Sequence, residues 1–137
     1  MWLKGIVLFG LGLGILGCGV NMPNPKRLIE RAKVENDLTQ IGLAYMNCSN
    51  ENPPRRIEDL MPYLDNNAKI EKLLRDGTVV VFWGVRPGQV QNAAGTILAY
   101  EKDADDQGNR YVLMADMKTV KAMPDAEFQR APKSGKN

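Results

Sequence analysis

One apolar stripe of helical period constrains this chain more than any other feature of its sequence. Its members recur at intervals of four, three, four and three residues, the spacing of one face of an α-helix, and they are Val34, Leu38, Ile41, Tyr45 and Cys48. Asn24 can cap a helix and Pro25 suits a first turn, so the stripe predicts a long helix over residues 25–48. Gly42 inside this helix costs about 1 kcal/mol relative to alanine, which predicts close packing against a sheet.

The rest of the chain changes from helical to extended patterning. Pro53 and Pro54 break the first helix, and two short helical pieces are predicted over residues 57–61 and 67–74. Beyond Gly77, β-branched and aromatic residues predict four strands, over residues 78–85, 96–101, 110–115 and 119–123. Because the last connections are short and polar, the strands should form an antiparallel meander. The predicted fold class is therefore α+β, with a long N-terminal helix packed on a roughly four-stranded antiparallel sheet.

An apolar N-terminal segment ends in a cysteine. Lys4 precedes an uncharged run over residues 5–16, which is shorter than the roughly 18 residues expected of a spanning helix. Residues 15–18, Ile-Leu-Gly-Cys, resemble the lipobox of bacterial lipoproteins. The resemblance implies cleavage between Gly17 and Cys18 and a diacylglyceryl group on the Cys18 sulfur. An uncleaved N-terminal anchor and an ordinary secreted protein are the alternatives.

This interpretation divides the chain into four parts. Residues 1–17 are a lipoprotein signal peptide, residues 18–24 a lipidated linker and residues 25–129 the α+β domain. The polar tail over residues 130–137 is predicted to be disordered. Gly19, rather than aspartate, follows the cysteine, and the lipoprotein resemblance implies that this disfavours inner-membrane retention in bacteria where that sorting rule holds. We expect an exported protein anchored in the bacterial cell envelope, at the outer membrane or the periplasmic face.

Two segments of the domain carry a further resemblance. Residues 36–45 (Asn-Asp-Leu-Thr-Gln-Ile-Gly-Leu-Ala-Tyr), with the proline pair after them, and residues 109–120 are similar to the first helix and the C-terminal hairpin of pilin-like exported proteins that are abundant in planctomycete bacteria. Met117 stands where the family usually carries glycine, and Asp106 where it carries histidine. The resemblance implies a pilin-like fold and says little about activity.

Two functions follow from these resemblances. The first is a membrane-anchored lipoprotein with a non-catalytic structural or binding role, whose partners are the membrane and other envelope or secretion proteins. The alternative is a minor pseudopilin-like component of a type II secretion or pilus-like apparatus. The apolar segment lacks the glutamate that pseudopilins carry near its start, and the helix follows a proline-containing linker.

Composition limits the chemistry that this chain can perform. It has no histidine, which excludes a histidine base and any imidazole metal ligand, and its two serines are Ser49 and Ser134. The formal net charge of +2, without a dense basic stretch, predicts no nucleic-acid partner. Residues 55–56, both arginine, are interpreted as a solvated loop rather than an anion site. Asp105 and Asp106 could act in acid–base chemistry only within a cleft, so we predict that the protein is not an enzyme.

One weak candidate for a metal site lies in the turn around Gly108. Calcium takes six to eight oxygen ligands, and the candidate ligands are Asp103, Asp105, Asp106 and Asn109. Major pseudopilins bind calcium in a loop before their last strands, which makes this location suggestive. The twelve-residue EF-hand pattern is absent, so the alternative is an acidic, solvated hairpin turn. No other cofactor is predicted.

Three further positions have structural interpretations. Cys48 lies on the apolar stripe and is interpreted as a small core residue. Asp116 is interpreted as a turn residue whose carboxylate accepts hydrogen bonds from the following backbone. Phe82 and Trp83 should point to opposite faces of a strand, which would leave one aromatic side chain exposed to a partner.

Overall fold

The computed structural model describes residues 24–135 and has the predicted α+β architecture. Helix α1 (Pro25–Ser49) packs on one face of an antiparallel sheet of four strands. Each strand pairs with the next along the chain, so the sheet is the predicted meander of β1 (Val79–Val81), β2 (Ile97–Glu101), β3 (Asn109–Met114) and β4 (Val120–Pro124). The other helices are α2 (Ile57–Leu60), α3 (Ala68–Arg75) and α4 (Asp125–Arg130), with 3-10 turns at Met61–Leu64, Pro87–Gln89 and Ala93–Gly95.

Helix α1 has an exposed N-terminal part and a buried C-terminal part. Asn24 has a non-helical backbone (φ −48°, ψ 127°), and its Oδ1 accepts a hydrogen bond from the Lys26 N–H at 3.1 Å. Residues 25–36 include no fully buried side chain, and burial begins at Asp37, which pairs with Lys69 at 2.8 Å. The predicted helix is confirmed, and its apolar stripe faces the core, half-buried at Val34 and fully buried from Leu38 onward.

The sheet buries side chains on both of its faces. The main cluster lies between the sheet and α1, α2 and α3, and the second cluster covers the opposite face and comprises Ile97, Val112, Met114, Met123 and Phe128. The register between β2 and β3 shifts between Ile97 and Ala99, which gives β2 an extra residue. Leu98 and Ala99 can therefore both enter the main cluster although they are adjacent in sequence.

The first strand is shorter than predicted. We expected it over residues 78–85, but it ends at Val81. The Phe82 N–H still donates to the Leu98 carbonyl of β2 at 2.9 Å. The Tyr45 hydroxyl donates to the Phe82 carbonyl at 2.9 Å and accepts from the Val85 N–H at 3.0 Å, so the segment after Phe82 bonds to α1. Gly84 has a positive φ of +74°, a backbone conformation that glycine adopts readily.

The prediction of a disordered tail is wrong for residues 130–135. Helix α4 ends at Arg130, and the chain then runs beside β2, where the Ile97 N–H donates to the Pro132 carbonyl and the Ser134 N–H donates to the Ile97 carbonyl, both at 2.9 Å. Because β1 stops at Val81, the backbone groups of Ile97 would otherwise lack partners. Neither α4 nor this pairing was predicted from the sequence.

The predicted signal peptide over residues 1–17 and most of the lipidated linker lie outside the described residues. From residue 24 to residue 135, no helix combines the length and apolar character needed to cross a bilayer.

Candidate functional site

The acidic turn between β2 and β3 is tied to the exposed part of α1. Asp105 Oδ2 lies 3.2 Å from the Arg31 guanidinium, and Asp106 pairs with Arg27 one helical turn earlier. These arginines are four residues apart and therefore project from the same side of the helix. The two ion pairs fix the turn against α1 at a distance from the apolar core.

Asp105 also stabilises the turn through hydrogen bonds to the turn's own backbone. Its Oδ1 accepts hydrogen bonds from the N–H groups of Gln107 at 2.9 Å and Asn109 at 3.0 Å. Burial raises the pKa of Asp105, but these two hydrogen bonds and Arg31 outweigh burial and hold the pKa below its usual value. The carboxylate is therefore ionised and already bonded on both oxygens.

The calcium candidates are only partly brought together by this arrangement. Asp103 is exposed, Asn109 begins β3, and the carboxylates of Asp105 and Asp106 have arginine partners. Within residues 24–135 there is no cluster of three or more cysteine, aspartate or glutamate side chains placed to hold a metal ion. Calcium would compete with Arg27 and Arg31 for these two carboxylates, and its binding here stays a prediction that calorimetry with millimolar calcium tests.

A groove of about 540 Å³ separates the first turns of α1 from this acidic turn. We call it the proximal cleft, and its lining includes Arg27, Arg31, Glu101, Asp105 and Tyr111. Burial raises the pKa of Glu101, although its Oε2 accepts a hydrogen bond from the Tyr111 N–H at 2.8 Å. Asp105 and Asp106, the carboxylates considered for acid–base chemistry, both line this cleft, and each is ion-paired with an arginine of α1.

A second groove of about 350 Å³ lies at the C-terminal end of α1. We call it the distal cleft, and it is lined by Cys48, Glu51, Asn52, Pro53, Arg55, Asp59, Tyr63 and Arg86. The guanidinium groups of Arg55 and Arg86 are exposed and make no ion pair or hydrogen bond to the part of the chain that the structure describes. Two free guanidinium groups can bind carboxylate or phosphate oxygens of a partner.

Tyr63 adds an exposed aromatic side chain to the distal cleft. It is 39% exposed, and the charge of Glu51 raises the pKa of its hydroxyl. Sequence reasoning missed Tyr63 and Arg86, because only tertiary packing brings them beside Cys48. The paired arginines at 55–56 are exposed, as expected of a solvated loop.

Cys48 is a buried thiol at the base of this cleft, which confirms its interpretation as a core residue. Its Sγ donates to the carbonyl of Asn52 at 3.5 Å and approaches that of Asp59 at 3.6 Å. Burial, with the charges of Asp59 and Glu51, raises the pKa of the Cys48 thiol. A thiol held in its protonated form is a poor nucleophile.

The remaining sequence interpretations can be placed in the fold. Asp116 Oδ1 accepts hydrogen bonds from the N–H groups of Lys118 and Thr119, which confirms its role in the turn. Phe82 is buried, whereas Trp83 is half-buried and stacks on Tyr45 at 6.4 Å between ring centroids. Trp83 is therefore mainly a packing residue at the edge of the main cluster.

Cys18 and Gly17 lie outside the described residues. Comparison of the chain with protein-family models, curated proteins and solved structures finds no match. The class that the fold defines is an α+β domain in which a long, half-exposed helix packs on an antiparallel meander.

Proposed function

We propose that this chain is an exported lipoprotein, anchored through Cys18, whose pilin-like domain has a non-catalytic binding or structural role in the cell envelope. The observation that carries the proposal is the start of α1 at Pro25, after the non-helical Asn24. The helix of the domain therefore does not continue through Asn24 toward the apolar segment. A helix that begins at this position is expected where a linker joins a lipidated cysteine to a folded domain.

The break argues against a filament subunit of the usual pilin type. Assembly through a continuous hydrophobic helix requires helical backbone from the apolar segment into the domain. Pro25 occupies the first helical position, where its missing N–H has no cost, and Asn24 caps the next turn. Both residues favour a helix that begins here.

The distal cleft is the surface that we propose for partner binding. Helix α1 has 25 residues and therefore extends about 37 Å at a rise of 1.5 Å per residue. The distal cleft lies at the end of α1 opposite the linker, where a membrane tether leaves it accessible. Arg55 and Arg86 suit acidic groups, while Glu51 and Asp59 suit basic ones, so a segment of another envelope protein with mixed charge fits this lining.

The pseudopilin-like alternative is favoured by one observation. Residues 25–36 of α1 bury no side chain completely, although Leu28 and Ile29 are large and apolar. Pilin-like subunits would use such a surface against neighbouring subunits. This function requires an N-terminal segment that is retained, whereas the lipoprotein function requires its removal.

Intact-mass spectrometry of protein from the native membrane fraction separates the two functions. We expect a mass for residues 18–137 plus a diacylglyceryl group, with or without an N-acyl chain. A mass that retains residues 1–17 would overturn the lipoprotein proposal and favour the pseudopilin-like function.

The two cysteines provide a matched pair of variants for the same experiment. Cys18→Ser should abolish acylation and processing, whereas Cys48→Ala should be acylated and remain in the membrane fraction. If processed Cys18→Ser protein still partitions with membranes, the lipid on Cys18 is not the anchor.

A further inference from the structure

The first turns of α1 expose two large aliphatic side chains that contribute nothing to either core cluster. Leu28 is 49% exposed and Ile29 is 56% exposed. Both lie in the part of α1 that buries no side chain completely, and the main cluster does not include them. In a helix the Cα–Cβ bonds tilt toward the N-terminus, so these side chains lean toward the linker end of the domain.

We propose that Leu28 and Ile29 insert into the surface of the bilayer that holds the lipid on Cys18, so that α1 stands on the membrane by its N-terminal end. The inference rests on the proposed lipoprotein function. It assigns to these residues the role of orienting the domain, in addition to the anchoring role of the lipid.

The length of the linker restricts where this end of α1 can be. Six residues lie between Cys18 and Pro25, and the seven steps of a fully extended chain span at most about 3.6 Å each, or roughly 25 Å. Leu28 and Ile29 follow within one turn of the helix. The tether makes their contact with the bilayer intramolecular, so a small apolar area can hold the contact.

The surrounding charges suit a headgroup layer. Arg27 and Arg31 are occupied by Asp106 and Asp105, whereas Lys26 and Lys33 are exposed and have no carboxylate partner among residues 24–135. Long lysine side chains can extend from an inserted helix end to lipid phosphates. The exposed Glu30 and Glu35 balance the two lysines in formal charge, so the apolar contact should dominate and its salt dependence should be weak.

Leu43 of the same helix is the control position for this insertion. Leu43 is 50% exposed, close to the value for Leu28, but it lies 15 residues further along the helix, a distance of roughly 22 Å. If α1 stands on its N-terminal end, Leu43 remains in water. If α1 lies flat, Leu43 enters the bilayer together with Leu28.

The test uses the full acylated protein in vesicles of phosphatidylethanolamine and phosphatidylglycerol. Nitroxide labels are attached at L28C, I29C and L43C in a C48A background, in which the acylated Cys18 offers no thiol. Power-saturation electron paramagnetic resonance then compares collisions with oxygen and with a water-soluble nickel chelate. We expect the ratio of oxygen to nickel collisions to be several-fold higher at positions 28 and 29 than at position 43.

Each other outcome overturns the inference. Equal nickel access at all three positions means that the helix end stays in water, and insertion of all three labels means that the helix lies flat. Labels at 28 and 29 shielded from both reagents mean that residues 19–23 or a second copy covers them. The mass of the acylated protein is measured first, so failure of the lipoprotein proposal is distinguished from failure of this one.

Discussion

At the scale of single residues, Gly42 and Met117 determine how closely α1 approaches the turn between β3 and β4. A Cβ built on Gly42 would lie 2.5 Å from the Met117 carbonyl oxygen and 3.1 Å from Leu113 Cδ1. Met117 has a positive φ of 62°, a region that favours glycine, yet its side chain is buried in the main cluster. The expected close packing of Gly42 is confirmed. Met117 accepts a strained backbone conformation, and its side chain fills space in the core that a glycine would leave empty.

Gly42→Ala should destabilise the protein although alanine is the better helix former. The gain of about 1 kcal/mol in helix propensity is outweighed by the displaced backbone carbonyl, and overpacking costs about 1–3 kcal/mol. We expect the free energy of unfolding in urea to fall by about 1–2 kcal/mol. Asn36→Ala, on the exposed side of the same helix, should leave stability unchanged or raised. A more stable Gly42→Ala protein would contradict the observed packing.

Met117→Gly should also destabilise the protein, although it restores the residue that suits a positive φ. Relief of strain is worth about 1–2 kcal/mol, whereas removal of a buried methionine side chain costs about 2–5 kcal/mol. Asn66→Gly is the matched control, because Asn66 has a φ of 54° and an exposed side chain. Thermal unfolding should show a lower Tm for Met117→Gly and little change for Asn66→Gly. Equal effects of the two variants would mean that the Met117 side chain contributes nothing to the core.

At the scale of elements, residues 132–134 extend the sheet by pairing with β2. The Ile97 backbone bonds to Pro132 and Ser134, and Lys133 Nζ donates to the Phe128 carbonyl at 2.8 Å. Phe128 of α4 packs against Tyr100 with ring centroids 4.8 Å apart. Tail and α4 together cover the face of the sheet that α1 leaves open.

Truncation after Arg130 should therefore lower the stability of the whole domain. The two backbone hydrogen bonds that Ile97 makes to Pro132 and Ser134 are lost and the Ile97 groups are uncovered, at a cost of about 2 kcal/mol. For a domain of this size the Tm should fall by roughly 10 °C, as calorimetry can measure. Removal of residues 136–137 alone is the control and should leave the Tm unchanged. An unchanged Tm after the longer truncation would mean that the pairing contributes nothing.

At the scale of the whole molecule, Tyr45 joins α1 to the segment that leaves the sheet after β1. Its ring is fully buried, and its hydroxyl bonds to both Phe82 and Val85. Burial raises the pKa of Tyr45 to about 12; the Val85 N–H opposes this shift and the charge of Cys48 adds to it. Ionisation of this hydroxyl is therefore coupled to global unfolding.

The protein should lose stability at alkaline pH through this coupling. The native pKa lies above the unfolded value of about 10, so the stabilisation is complete below pH 10 and decreases as the pH rises toward 12. The slope should reach up to about 1.4 kcal/mol per pH unit, as urea unfolding followed by Trp83 fluorescence can measure. Tyr45→Phe should reduce this slope, to which the raised pKa of the Cys48 thiol also contributes, and should cost about 1–3 kcal/mol at pH 7, since two backbone groups lose their partner. Tyr100→Phe, whose hydroxyl has no hydrogen bond within the described residues, should retain the slope.

The sequence by itself determined the elements whose signals are local. The period of the stripe from Val34 to Cys48 predicted α1, and the Asn24 cap predicted where it begins. β-Branched runs between short polar connections predicted four strands in an antiparallel order. Gly42 indicated a close approach, although not the partner that it approaches.

Only the tertiary structure decided the features that depend on contacts distant in sequence. Residues 130–135 are ordered because β2 leaves the Ile97 backbone unpaired beyond the end of β1. The acidic turn pairs with arginines of α1 that are more than seventy residues away in sequence. The distal cleft combines side chains from three segments, and no local pattern brings Tyr63 and Arg86 together. Secondary-structure propensity and hydrophobic period are properties of one segment and can be read from the sequence. Which segments contact each other depends on packing, and packing is determined by the free energy of the whole fold.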